Sequence, residues 1–155
     1  MAQPWKVQHL DPDKRLPSCL KKILRTRVKE IFFYQASAVD GEDMEAVHDM
    51  RVAVRRMKAV LSIFQSCFKN KPLKKQTSGL NALLGALGSV RDSDIFIASL
   101  QAFRDAAAAE DRPALDLILN EEHSLRRAHR ARLKKTLRTL NAKQFTKRFN
   151  DVVIE

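Results

Sequence analysis

Between Val47 and Lys58 the chain reads Val-His-Asp-Met-Arg-Val-Ala-Val-Arg-Arg-Met-Lys. His48, Arg51, Arg55 and Lys58 recur there at three- and four-residue steps. At about 100° per residue they collect within roughly an 80° arc of one helical face. Met50, Ala53, Val54, Met57, Leu61, Phe64 and Phe68 take the other face at the same period, predicting an amphipathic helix from about Glu42 to Phe68. The chemistry of such a row is anion binding, because each guanidinium offers a fixed fork of donors suited to phosphate oxygens. The competing interpretation is a solvated basic face. Against it, no acid stands four residues beyond Arg51, Arg55 or Lys58 to pair with them along the helix.

Two other segments carry similar rows. Lys22, Arg25 and Lys29 share a face of a helix predicted from Pro17 to about Ala38. Arg127, Arg130 and Lys134 share the outer face of a helix predicted from about Ala114 to Leu140. The three rows together could line one groove, with a solubilising surface as the alternative for the first and last. Arg91 lies near a predicted helix junction and is a candidate phosphate ligand. Asp92 and Asp94 read as ordinary acids at a helix start, with capping the fourth helix or orienting an arginine as the alternative.

Zinc ligands come as local pairs, and His9, His123 and His129 have no such spacing with His48, Cys19 or Cys67. Neither metal nor cofactor is expected. His129 falls on the apolar side of its helix with Glu122, as a satisfied buried histidine would. There is no Gly-rich phosphate loop, no nucleophile elbow, and no serine with a histidine at a suggestive helical offset. Binding rather than catalysis is expected, although a triad assembled in space leaves no local motif.

The elements that must position these residues follow from periodicity and punctuation. Residues 1–16 hold Pro4 and an Asp11-Pro12-Asp13 turn signal and are expected to form an extended lead-in. Pro17 opens the first helix, with Leu20, Leu24, Val28 and Ile31 inward. Asp40-Gly41 turns the chain, and Glu42, Asp43 and Glu45 put negative charge at the positive end of the second helix. Asn70-Lys71-Pro72 is expected to end it. A third helix follows with Leu73, Leu80, Leu83, Leu84 and Leu87 inward. Gly79, Gly85 and Gly88 are expected to serve close helix approach, Gly88 also as a break before Arg91. A fourth helix from about Asp92 to Ala109 turns Ile95, Phe96, Leu100 and Phe103 inward. The fifth starts at Asp111-Arg112-Pro113 with Leu115, Ile118, Leu125, Leu133, Leu137 and Leu140 as its stripe. Phe145, Phe149, Val152, Val153 and Ile154 trail after Asn141-Ala142-Lys143. No stretch alternates as a strand does. The expected fold class is all-α, an antiparallel bundle of about four to five helices forming one domain over residues 17–155.

The 155 residues suit a single domain that buries about 70% of its unfolded surface without a staple. Twenty-nine Lys+Arg against 18 Asp+Glu give a formal charge of +11, which predicts polyanionic partners. No apolar run approaches a membrane span, and the first ten residues lack the apolar core of a secretion signal. Cys19 and Cys67 are expected as buried free thiols in a reducing cytosol.

Val47–Lys58, followed by Leu84-Gly85-Ala86-Leu87-Gly88-Ser89-Val90-Arg91-Asp92-Ser93-Asp94, resembles the two signature segments of the CHAD family, the conserved histidine α-helical domain. Both segments match in order and separation, and the resemblance covers about Pro17 to Phe149. It implies helical bundles around a basic cavity and binding of inorganic polyphosphate. It assigns His48, Arg51, Arg55, Arg56 and Lys58 to the first signature, with Lys58 standing where arginine is common, and Arg91 and Asp92 to the second. Such domains usually carry two related bundles. No second Val-His-x-x-Arg helix follows here, so the chain corresponds to the N-terminal half of a two-bundle CHAD domain. The Glu-x-Glu-x-Lys stretch of the triphosphatase domains often fused to the family is absent.

The expected function is non-catalytic capture of inorganic polyphosphate in a basic helical groove, in the cytoplasm and in association with polyphosphate granules. One alternative is non-specific nucleic-acid binding, although the basic rows lack interleaved aromatics for base stacking. Another is a membrane-surface or scaffold role for Arg126–Phe149. The uncovered face of a single bundle and an exposed C-terminal apolar patch predict a homodimer completing the two-bundle arrangement, with a monomer whose tail folds back on its own bundle as the rival. Like charge would oppose that dimer, so polyphosphate should strengthen it.

Overall fold

The structure is a computed structural model that describes residues 3–40 and 43–154, the side chains of Ala142, Lys143 and Asn150 excepted. Leu20, Leu24, Val28 and Ile31 fall on one stripe and are buried, giving α1 (Leu16–Phe33) its core face, with Pro17 in the first turn where its missing N–H is harmless. Tyr34 interrupts the predicted first helix, and α2 (Gln35–Asp40) continues from it. The turn at residues 41–42 lies outside the described residues. Asp43 caps α3 (Met44–Ile63), its carboxylate accepting the Glu45 N–H at 2.8 Å. All of Met50, Ala53, Val54, Met57 and Leu61 are buried, as the periodicity requires. The helix stops at Ile63. A single 3₁₀ turn (Gln65–Cys67) follows, and Phe68 is extended.

The predicted third and fourth helices are one. Helix α4 (Asn70–Ala106) runs 37 residues, about 55 Å at 1.5 Å per residue. Pro72 does not end the preceding helix. It sits in the first turn of α4, where no intrahelical N–H is needed. Gly88 is no break either. Three interior glycines cost about 1 kcal/mol each, which burial of Leu80, Leu83, Ala86, Leu87 and Val90 along the same helix outweighs. Of the three glycines only Gly79 serves close approach: a Cβ there would stand 2.9 Å from Leu140 Cδ2. At Gly85 and Gly88 a Cβ would meet nothing within 4 Å.

Helix α5 (Arg112–Leu140) returns along α4 as a long antiparallel hairpin. Its inner end is core, with Leu133, Leu137 and Leu140 buried. Its outer end is not. Ile95, Phe96 and Phe103 of α4 and Ile118 and Leu125 of α5, all expected inward, are exposed, and Leu100 is half-buried. The hairpin outruns α1 and α3, so nothing is left to cover that end.

The tail departs furthest from expectation. Asn141 takes a left-handed φ of 30°, tolerable for asparagine, and turns the chain into α6 (Ala142–Val152). Phe145, Phe149, Val152 and Val153 are buried against α1 and α4, and Phe145 stacks edge-on to Phe32. Lys69 N–H donates to Val152 O at 2.8 Å and Ile154 N–H to Cys67 O at 2.9 Å, fastening the tail beside Phe68. The C-terminal patch expected to mediate dimerisation is therefore core, because α6 folds back on its own bundle. Only Ile154 of that set is exposed.

The lead-in is pinned to α1. Trp5 meets the Phe33 ring, and Lys22 Nζ donates to His9 O at 2.5 Å. Cys19 and Cys67 are free and half-buried. Among the described residues no helix is long and apolar enough to cross a membrane, and the sole strand-like feature is the Phe68–Val153 bridge.

Candidate functional site: a basic groove between α3 and α4

Helices α3 and α4 are antiparallel, and two observations fix their register. Arg91 reaches Glu45 at 3.6 Å near one end. Near the other, Lys58, Ser62, Lys74 and Ser78 line one cavity of about 450 Å³. Counting inward sets His48 level with Gly88, Arg51 with Gly85, Arg55 with Asn81 and Lys58 with Ser78. The cationic row on α3 thus faces glycines and small polar residues on α4, and the missing side chains of Gly85 and Gly88 leave open space beside it.

Four of these cations have no internal use. His48, Arg51, Arg55 and Lys58 make no side-chain hydrogen bond or ion pair among the described residues. The Nε atoms of Arg51 and Arg91 are buried without a partner, an arrangement that costs free energy unless something else accepts from them. Arg91 is held only by the exposed Glu45 carboxylate, a weak contact at 3.6 Å. The cavity continues the row. Lys74, Thr77, Ser78, Asn81, Ser62 and Gln65 surround a floor of Leu61 and Leu73, with no acid among them. Lys74 was not singled out in the sequence. The signal for it lay in the register of α3 against α4 rather than in any local pattern.

The other predicted site residues are placed elsewhere. Arg56 turns away from the row and donates to Glu30 Oε1 at 2.8 Å, while Arg27 bonds the other oxygen of the same wholly buried carboxylate. That cluster joins α3 to α1. Lys22 is engaged by the His9 carbonyl, and Arg25 and Lys29 are exposed on α1, which is not in contact with α4 over any length. Arg130 donates to the carbonyls of Ala38 at 3.0 Å and Val39 at 3.4 Å, closing the end of α2. Burial, and then Arg126 beside it, lower its pKa below the usual guanidinium value. Arg127 bonds Ser124, and Lys134 is exposed on α5, whose neighbours are α4 and α2. The single groove expected from helices one, two and five is instead a groove between α3 and α4.

The second signature segment is built inward. Asp94, expected as a helix-start acid, is 3% exposed in the middle of α4 and accepts from Arg126 Nε at 2.5 Å. Asp92 is exposed. Ser93, also 3% exposed, meets Glu122 Oε1 at 2.7 Å and His129 Nδ1 at 3.1 Å. The single hydroxyl proton goes to the carboxylate, so the imidazole must be the donor to Ser93 Oγ. In a nucleophilic relay the acid would orient the histidine and the histidine the serine. Here the acid contacts the serine itself, and the three clasp α4 to α5. Among the described residues no cluster of His, Cys, Asp or Glu could hold a metal ion.

The fold is an all-helical bundle with a cationic row on α3 beside α4. The family model described as CHAD domain matches residues 22–155, and the chain belongs to that family. The crystal structure of the CHAD domain from the plant Ricinus communis superposes with a TM-score of 0.66 at 22% sequence identity. The match covers 96% of this chain and 51% of that one, so the chain spans about half the length of that solved structure. No curated protein matches the sequence.

Proposed function

We propose that the protein binds inorganic polyphosphate in the α3–α4 groove, without chemistry on the polymer. The observation that carries this is a set of donors with little internal use: Arg51, Arg55 and Lys58, unpartnered among the described residues, and Arg91, held only by the exposed Glu45, with the Nε atoms of Arg51 and Arg91 buried and unbonded. Cations three or four residues apart stand about 5 Å apart along α3, a spacing that tracks an unbranched chain of phosphates. Lys74 extends the row, and His48 adds a donor at its start. Membership of the CHAD family supports the same ligand. Such a protein would act wherever polyphosphate accumulates, including cytoplasmic granules.

Nucleic acid offers the same charge, but the cavity that continues the row has no aromatic side chain for base stacking: its lining is Lys, Ser, Thr, Asn, Gln and Leu. A membrane-surface role for Arg126–Phe149 is disfavoured because Leu133, Leu137, Leu140, Phe145 and Phe149 are occupied in the core.

The test is titration with long-chain polyphosphate across a range of salt. Five neutralised phosphates, at about −0.7 per contact for a flexible single strand, predict a log–log slope of roughly −3.5. An affinity indifferent to salt would refute the mechanism. Displacement by single- or double-stranded nucleic acid at equal phosphate concentration would refute the ligand.

A further inference from the structure

The exposed side of α4 carries a second pattern running past the groove. Lys74, Asn81, Gly85, Asp92, Phe96 and Phe103 repeat at seven- and four-residue steps, so one stripe runs nearly the whole helix, and all six are exposed. It changes character along its length. Near the cavity it is basic and small. Toward the hairpin tip it is aromatic, and α5 adds to it. Ser93, Phe96, Leu100 and Phe103 share one flank of α4 by spacing, and Ile118, Glu122, Leu125 and His129 share one flank of α5. The Ser93 contacts to Glu122 and His129 show that these flanks adjoin. The Arg104–Asp116 and Asp94–Arg126 pairs set Phe103 near Ile118 and Phe96 near Leu125. The result is an exposed apolar patch on the outer hairpin.

Charge divides along the same line. The Asp94–Arg126 pair sets residue 92 level with about residue 128, and residues 92–128 hold eight Asp+Glu and four Lys+Arg, a formal −4, which leaves +15 for the rest of a chain whose total is +11. The acidic, apolar arm lacks a cover, and the basic cavity with its Leu61 and Leu73 floor lacks an occupant.

We propose that a second copy of this chain supplies both. Two α4 helices lie antiparallel about a two-fold axis near Gly88, so that each arm rests on the other copy's α3–α4 cavity. In that register Phe103 stands over the partner copy's Lys74–Leu73 end and Phe96 over its Asn81. At the centre Gly88 stands over the partner copy's Ser89 and Gly85 over its Asp92, and the open space at both glycines lets two helices approach closely. The net negative charge of each arm meets the net positive charge of the other copy's body. The stripe from Lys74 to Phe103 is about 44 Å long, and with its flanking helix roughly 20 Å wide. That is on the order of 800 Å² per partner, the size of a stable interface. The like-charge argument against a dimer applies to the averaged chain and not to this pairing. Because the arm covers the groove, polyphosphate and the second copy compete, a consequence that rests on the proposed function.

Sedimentation equilibrium of the 155-residue chain, from micromolar to about 100 µM and without polyphosphate, tests the dimer alone. A dimer that weakens as salt rises is expected, and a strict monomer at low salt would overturn the proposal. Lys74→Glu and Phe103→Lys should each be monomeric with unchanged helical circular dichroism. An equimolar mixture of the two should dimerise, since one of its two contacts is wild type and the other has complementary charge. Dimers indifferent to either substitution would place the interface elsewhere. Monomeric Phe103→Lys keeps every groove cation, so its polyphosphate affinity tests the binding function separately. If polyphosphate binds the wild-type dimer without dissociating it, the shared face is wrong.

Discussion

Arg51 and Arg56 are five residues apart on α3 and do opposite work. Arg56 shares the buried Glu30 carboxylate with Arg27 and holds α1 to α3, whereas Arg51 leaves a buried Nε without an acceptor. Arg51→Ala and Arg55→Ala should therefore shift stability by no more than about 0.5 kcal/mol. Each should weaken polyphosphate binding by about 1.5–3 kcal/mol where the contact is desolvated, less where it is open. Glu30→Ala should do the reverse: it strands the buried Arg27 guanidinium, a loss of about 3–5 kcal/mol, with groove affinity retained in the folded fraction. Denaturant melts and titrations on the same samples separate the two. Periodicity made Arg51, Arg55 and Lys58 legible. It did not make the fate of Arg56 legible, because one 100° step carries a residue off the row and only packing decides what it meets there.

The Arg104–Asp116 clasp near the hairpin tip gives a second test at this scale. The hydrogen bond from Arg104 is the largest cause holding the Asp116 carboxyl below its ordinary pKa. A carboxyl with a depressed folded pKa contributes stability above its unfolded pKa and loses it as pH falls through the folded one. The clasp should be intact at neutral pH and open only in acid, below the normal Asp range. Carboxyl NMR titration of Asp116 should show the depressed value, and Arg104→Gln should return it to the ordinary one. An unchanged titration in that variant would mean the pair is not formed in solution.

At the scale of elements, α4 decides the architecture, and it was the element least legible in the sequence. Gly88 signalled a break and Pro72 the end of the preceding helix, yet Pro72 sits in the first turn of α4 and the buried leucines on one face carried the helix through Gly88. The tail was half legible. Phe145, Phe149, Val152 and Val153 already have helical spacing, but spacing alone does not say whether an apolar face turns to its own bundle or to another molecule. The glycines now separate by environment. Gly85→Ala and Gly88→Ala add a Cβ into open space inside a helix and should each stabilise by about 0.5–1 kcal/mol. Gly79→Ala sets its Cβ against Leu140 and should gain nothing or lose stability. Gly88→Leu should fold at least as well as wild type while filling the groove beside His48, so its polyphosphate affinity should fall. If Gly88→Leu binds as wild type, the polymer does not lie in the groove.

At the scale of the molecule, the salient fact is a body of formal charge +15 joined to an arm of −4. Composition alone gave the +11 and hence the expectation of a polyanionic partner, but the division became visible only once α4 and α5 proved to be a hairpin extending past the core. Repulsion within the unpaired α3 row destabilises the free protein, and salt screens it with a Debye length of about 10 Å at 0.1 M. In dilute solution, where the chain is monomeric, its melting temperature should therefore rise as salt is added. Bound polyphosphate should raise it further by mass action, about 4 kcal/mol at a thousandfold excess over Kd. That corresponds to roughly 8–16 °C for a chain of this size. Salt then acts in the opposite sense on the complex, because it weakens the binding that supplies the increment. Thermal scans over a salt series, with and without polymer, should give two curves that converge at high salt, the free one climbing and the bound one falling. Parallel curves would mean that the polymer stabilises the fold without neutralising the α3 row.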